Sequence, residues 1–203
     1  MKIVIIGATG TIGSAVVNAF EAQHQVIKVG HSSGDYQMNI ADPASIKFTL
    51  AAIYQQHGNI DALISTTGKV SFNLFNDIDD QGWALGIENK LMGQINLVRY
   101  AQEYLTTGAS ITLTTGILSE EHILTGVSAA AMNGAINAFV TAVAPVLPNG
   151  LRINAISPTL LEESVAIYQD YFPGFVPVSA KKVAQAYVRS VLGINNGKIM
   201  KVA

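Results

Sequence analysis

The glycines at positions 7, 10 and 13 are the residues whose spacing first implies chemistry. The run Gly7-Ala8-Thr9-Gly10-Thr11-Ile12-Gly13 follows the apolar stretch Lys2-Ile3-Val4-Ile5-Ile6 and precedes a segment with helical spacing. Such a turn aims backbone N–H groups and the positive end of a helix at one point, which suits a pyrophosphate. Glycine supplies the positive φ and the close approach that the turn needs. A turn of purely structural purpose is the alternative reading. Other chemistries are excluded by composition. The sequence has no Cys, so thiolate nucleophiles and thiolate metal sites are absent, and no His or carboxylate spacing suits a metal.

The elements that must hold this turn can be read from periodicity. Residues 2–6 form a β-branched run of the kind buried on both faces of a sheet. Ile12, Ala15, Val16, Ala19 and Phe20 recur at helical spacing, and residues 25–29 turn apolar again, which completes a βαβ unit. A short strand over 36–40, a helix from Asp42-Pro43 to about 56 and a strand over 60–65 follow. A long helix over 81–104, a strand over 110–115, a helix over 128–147 and a strand over 151–157 come next. A helix over 179–192 and a strand over 198–202 close the chain. This alternation predicts an α/β fold: a single Rossmann-like doubly wound parallel sheet with helices on both faces, spanning 1–203 as one domain.

Composition narrows the partners. Charged residues make up 13% of the 203, about half the usual share, and the net charge is −2. Neither nucleic acid nor a membrane surface is expected as a partner. The first apolar run breaks at Gly7, too short for a signal peptide or a membrane span, and a cytoplasmic location is expected. Between Glu121 and Arg152 there is no Asp, Glu, Lys or Arg. The helix over 128–147 therefore lacks an ordinary solvated face, and a homo-oligomer is expected through it and the helix over 81–104. Packing only within its own chain is the alternative.

At the glycine turn the chain resembles the short-chain dehydrogenase/reductase family, and the resemblance runs from Lys2 to the carboxyl end. The turn looks like the family's cofactor turn. Asn39-Ile40-Ala41-Asp42 stands where the adenine-contacting segment lies, and Ser65-Thr66-Thr67-Gly68 replaces the N-N-A-G segment. Arg152-Ile153-Asn154-Ala155-Ile156-Ser157-Pro158 is the closest local match. The resemblance implies that the backbone beyond Pro158, toward Leu160, meets the nicotinamide amide, and that Gly7, Thr9, Gly10, Thr11, Ile12 and Gly13 surround the pyrophosphate. The chain is shorter than typical members, mainly in the substrate loop.

The second strand ends at Gly30, where a carboxylate would bind the ribose hydroxyls and repel a 2′-phosphate. His31, Ser32 and Ser33 follow, with donors and no negative charge. NADP(H) is preferred over NAD(H), which stays open, as does a plain solvated turn.

The family's catalytic set is Asn, Ser and Tyr-x-x-x-Lys, and here it is broken. Matching Ala135-Ile136-Asn137-Ala138-Phe139 to the family's helix puts Ala129 at the Tyr position and Asn133 at the Lys position. Thr114-Thr115 replaces Ser-Ser, so the resemblance gives Thr115 the carbonyl-orienting hydroxyl. Counting from Trp83 puts Lys90 at the Asn position, with Gly93 in register. Lys90 would thus hold the nicotinamide end and act catalytically. A slip of one residue would place Asn89 there instead, and a rotation of about 100° per residue lets only one of the two point inward. With no Tyr, Lys90 could supply a proton, Ser128 and Thr115 could hold the oxygen, and His122 could relay the proton. Ser128 also suits a helix N-cap, and His122 a surface position. Glu162 could touch substrate, a small molecule closed over by the aromatic segment 160–178, which could equally be a packing flap. The expected activity is that of an NADP(H)-dependent oxidoreductase on a small carbonyl or alcohol. The alternatives are a catalytically silent NADP(H)-binding sensor, motivated by Ala129, and an isomerase or lyase.

Overall fold

In a computed structural model describing residues 1–203, seven parallel strands make one sheet in the order β3-β2-β1-β4-β5-β6-β7. The strands are β1 (Lys2–Ile6), β2 (Gln25–Gly30), β3 (Tyr36–Gln37), β4 (Ile60–Ser65), β5 (Leu105–Thr114), β6 (Arg152–Pro158) and β7 (Ile199–Val202). Register is set by buried β-branched pairs such as Ile5 opposite Ile64 and Ile111 opposite Ile153. The order reverses between β1 and β4. Their carboxyl ends therefore open a crevice, and Gly7 and Thr66 stand on its two sides.

Each face of the sheet carries its own core. Helices α1 (Thr11–Phe20) and α7 (Ala180–Leu192), the latter following the one-turn helix α6 (Val165–Tyr168), pack Val16, Phe20, Val183 and Tyr187 against Ile3, Ile5 and Ile64. On the other face α2 (Pro43–His57), α4 (Gly93–Ala101) and α5 (Val127–Val143) pack Ile46, Leu50, Leu97, Ile136 and Val140 against Val4, Leu63 and Ile111. Sequence marks the ends of these helices. Asp42 accepts from the Ala44 N–H at 2.9 Å ahead of Pro43, and Ser179 accepts from Lys182 N–H at 3.2 Å. Arg152 donates to the carbonyls of Ser190, Val191 and Asn195, which ties the carboxyl end of α7 to β6.

Four elements differ from the sequence expectation. The strand over 36–40 shrinks to Tyr36–Gln37, and β5 starts at Leu105, beyond a register shift opposite Ile60 to Ala62. The helix over 128–147 ends at Val143, and Pro145 turns the chain into a short 3₁₀ segment. The helix over 81–104 is not continuous. It consists of α3 (Asp80–Leu85), a π-helical turn (Gly86–Met92) closed by Gly93 N–H to Glu88 O, and α4. Glycine flanks the wide turn on both sides for steric reasons. A Cβ on Gly86 would stand 3.1 Å from Ser128 Oγ, and one on Gly93 would stand 2.7 Å from Ile40 Cγ1. The apolar helix α5 turns Met132, Ile136 and Val140 inward but leaves Ala131, Ala138 and Ala142 exposed. Packing within one chain thus covers only part of it.

Candidate active site

The glycine turn is built as a cradle. Gly7 has φ +85°, and its N–H and that of Ala8 donate to Val29 O, which folds the turn back over β2. A Cβ on Gly13 would lie 2.0 Å from Gly7 O, so α1 starts in direct contact with the turn. Helix α1 has no acidic residue in its first turn and no side-chain cap. Its first N–H groups have no intrahelical partner and are left for an anion. The crevice beside them is lined by Gly7, Thr9 and Gly10, by Gly30 and His31, and by Thr66, Thr67 and Gly68. Met38 and Ile40 give it an apolar end suited to an adenine face.

Not every residue expected at this crevice faces it. Of the three residues after β2 only His31 lines it. The Ser32 carbonyl accepts from Gln37 Nε2, and the Ser33 carbonyl sits where a Gly30 Cβ would go. Thr11, Ile12 and Gly13 lie behind the turn rather than in the crevice wall. Asn39 spends its Oδ1 on Ala41 N–H, and Ser65 is buried with its Oγ at 3.0 Å from Thr67 Oγ1. The first carboxylate after β2, Asp35, accepts from Lys28 N–H and does not line the crevice. Met38, Lys69 and Asn89 line it without having been singled out for it; an apolar residue just past a strand end was the only signal for Met38.

Beyond Gly68 a second cavity of about 220 Å³ continues the crevice. Its polar groups are Lys90, Thr115, Asn133 and Thr159, and Val70, Phe72, Ile117, Leu118, Ala129, Leu160 and Phe172 supply the apolar wall, with Pro158 at its edge. Lys90 is 8% exposed, and its ammonium enters no ion pair and no hydrogen bond with the protein. Burial alone lowers its pKa to about 8. Asn133 is 3% exposed, and its Oδ1 has no hydrogen-bond partner. Thr115 Oγ1 donates weakly to Ile156 O at 3.3 Å, a bond it can exchange for a ligand. No tyrosine lines the cavity. Tyr187 is buried behind the sheet, where its hydroxyl pairs with Thr114 Oγ1 and desolvation raises its pKa.

The π turn overturns the expectation that only one of Asn89 and Lys90 points inward. Asn89 Oδ1 accepts from Lys69 N–H at 2.8 Å at the mouth of the first crevice, while Lys90 enters the second cavity. The widened turn lies between the two cavities, so each of the two neighbouring residues reaches a different one. Gly68, with φ +135°, lies against Lys90: a Cβ there would stand 2.7 Å from Lys90 Cγ. Ser128 is also corrected. Its Oγ is buried against Gly86 without a partner, one helical step away from the cavity face of Ala129 and Asn133, and Gly126 rather than Ser128 caps α5. His122 is exposed in a separate cleft with Asp170 and Tyr171, and Glu162 is exposed outside the cavity.

A residue the sequence reading passed over fixes the position of Lys90. Gln94 is fully buried, its amide pairs with both Thr114 N–H and Thr114 O at 2.9 Å, and its Nε2 also donates to Lys90 O at 3.3 Å. One uncharged amide thus links the end of β5 to the π turn. A buried Gln in the apolar stripe with Leu97, Val98 and Ala101 was the available signal. Gln94→Leu is expected to cost about 2–4 kcal/mol in urea unfolding, because it leaves two buried backbone groups of Thr114 unpaired.

A family model described as enoyl-(acyl carrier protein) reductase matches residues 8–196. The chain belongs to the short-chain dehydrogenase/reductase family. Among solved structures, the Listeria innocua protein lin1944 is 43% identical over all of both chains, with a TM-score of 0.95. A small-chain dehydrogenase in complex with NADPH is 25% identical over 100% of this chain and 96% of its own, with a TM-score of 0.87. A 3-oxoacyl-(acyl-carrier-protein) reductase of Staphylococcus aureus is 26% identical over 142 residues, which is 68% of this chain and 58% of that protein's length. The short-chain dehydrogenase/reductase fold makes the crevice the place for a nicotinamide dinucleotide, and two features fit one. The glycine cradle leaves no room for a side chain, and the orphaned Asn133 acceptor waits for a donor beside the second cavity.

Proposed function

We propose that the chain is an NADP(H)-dependent reductase of a small carbonyl, or dehydrogenase of the matching alcohol, and that Lys90 takes the place of the family's phenol. The observation that carries this reading is the unpaired, buried ammonium of Lys90 beside Thr115 and Asn133 in the cavity that continues the dinucleotide crevice. A bound nicotinamide supplies or accepts the hydride. Thr115 Oγ–H donates to the substrate oxygen and holds the carbonyl in place. As charge gathers on that oxygen, the Lys90 ammonium stabilises it and hands over a proton, and the neutral amine regains one from solvent. Asn133 Oδ1, unpaired in the protein, accepts from a ribose hydroxyl of the bound nucleotide. The apolar wall from Val70 to Phe172 keeps water from the reacting carbon.

Preference for the phosphorylated dinucleotide rests on His31 and on the absence of a carboxylate at Gly30, with support from the NADPH bound by the related dehydrogenase. His31→Asp is expected to weaken NADPH binding by about tenfold relative to NADH, roughly 1.4 kcal/mol, because a fixed negative charge then faces the 2′-phosphate. Fluorescence titration of both nucleotides reads the ratio, and an unchanged ratio removes His31 from the phosphate site. Association of copies through the open faces of α4 and α5, and a cytoplasmic location, belong to the same reading. The test of the activity is single-turnover oxidation of bound NADPH across a panel of aliphatic and aromatic aldehydes and ketones. Turnover with at least one of them is the expected result. Tight binding of NADPH with no oxidation favours the silent sensor, for which Ala129 in the place of the phenol is the specific observation.

A further inference from the structure

We propose that Lys90 captures small apolar aldehydes as a Schiff base in the second cavity, with no nucleotide required. The geometry has three parts. First, Lys90 is the sole amine lining a cavity whose other walls are chiefly apolar, with Val70, Ile117, Leu118 and Phe172 around it. Second, nothing in the protein holds the amine in its charged form. Its nitrogen has no carboxylate partner and no hydrogen bond, and Glu88, two residues away, and Lys69, next to the Gly68 that packs on Lys90, are both exposed. From the packed elements, Gly68 and α5 present only a backbone and the neutral side chains of Ala129 and Asn133. Third, Thr115 and Asn133 both line the same space, and the weak 3.3 Å bond from Thr115 Oγ1 to Ile156 O leaves that hydroxyl able to turn to a ligand. A desolvated amine in an apolar pocket is the usual setting for lysine nucleophiles, and the pKa near 8 leaves a useful neutral fraction at physiological pH.

The step balances without any further reagent. The lone pair of Nζ bonds to the aldehyde carbon as the C=O π pair moves to oxygen, and a proton passes from nitrogen to that oxygen to give a carbinolamine. Thr115 and Asn133 hold its hydroxyl. Loss of that hydroxyl as water, with departure of the second N–H proton, forms C=N, and hydrolysis reverses the sequence. The size of the cavity, about 220 Å³, admits an aliphatic chain of a few carbons rather than a bulky aldehyde.

The experiment uses the full chain without nucleotide, incubated with butanal and cyanoborohydride at pH 7.5 (about half a unit below the amine's pKa) and mapped by peptide mass. Such trapping converts each imine into a stable butyl amine. Labelling of Lys90 at least tenfold above the exposed Lys47, Lys69 and Lys182 is the expected result. Labelling of Lys90 should rise as pH passes through about 8. Lys90→Arg, which keeps the charge, should lose that peptide's label while the surface lysines keep theirs. Label spread evenly over the lysines, or a Lys90 peptide without label, overturns the proposal. The readout is a mass increment in the absence of NADPH, so this proposal and the reductase reading stand or fall separately.

Discussion

Replacing Lys90 by Met is expected to lower carbonyl reduction by about a hundredfold or more, and yet to make the chain more stable at pH 7. The first effect follows from removing the one ionisable group that lines the cavity, since a positioned general acid contributes about 10²–10⁴ in rate. Nucleotide binding should survive, because the glycine cradle lies on the far side of Gly68. The second effect follows from burial. The lysine pKa falls from 10.5 to about 8 on folding, which corresponds to a desolvation penalty of about 3 kcal/mol. Below pH 8 the amine is protonated in both folded and unfolded chains, and the folded state carries the whole penalty. From about 8 to 10.5 the unfolded chain binds the proton more strongly, so wild-type stability rises with pH. Above 10.5 neither form is charged. Met fills a similar volume without the charge, so it should add about 2–3 kcal/mol in urea unfolding at pH 7 and little near pH 10.5. A Lys90→Met chain that is inactive and less stable at pH 7 would mark the lysine as a structural group.

Gly13→Ala is expected to weaken dinucleotide binding by about a hundredfold and to destabilise the fold by about 1–3 kcal/mol. The added Cβ would meet Gly7 O at 2.0 Å, Gly7 C at 2.8 Å and Ala8 Cα at 2.9 Å, all of them backbone. No rotamer relieves such a contact, and α1 must draw back from the turn that its N–H groups complete. Gly134→Ala is the matched control. A Cβ there meets nothing within 4 Å, and in mid-helix the change should add about 0.5–1 kcal/mol and leave binding alone. Calorimetric titration with NADPH and urea unfolding of both variants read these effects. Equal binding by the two would detach the glycine turn from the nucleotide.

How much of this was legible in the sequence depends on which forces decide each feature. Buried parallel strands announce themselves, because a run such as Ile3 to Ile6 must be apolar on both faces. The strand alternation and the glycine turn therefore gave the doubly wound sheet. The π turn at Gly86–Met92 was hidden because it is a tertiary effect: Gly86 gives way to Ser128 and Met132, and Gly93 to Ile40, and helical periodicity carries no record of those contacts. The same turn decides where Lys90 and Asn89 point. Ser128 was misplaced for a simpler reason. Ala129 and Asn133 are four residues apart and share a face, so a residue one step before Ala129 turns toward a different neighbour. Gln94 was overlooked because its partners, both backbone groups of Thr114, lie on an element separated from it in the chain.

The central claim is that the amine of Lys90 carries the proton for carbonyl reduction, and it is tested most directly by one comparison over pH. The Lys90 pKa is measured by NMR of lysine labelled at the ε-carbon, alongside the single-turnover rate of NADPH oxidation from pH 6 to 10. The account predicts an amine titrating near 8, with a rate that is level below that pH and falls about tenfold per unit above it, as the ammonium is lost. Oxidation of the alcohol should show the mirror image, rising to a plateau above 8. A Lys90 amine that titrates at the ordinary value of 10.5, or a reduction rate indifferent to pH between 7 and 9.5, would contradict it.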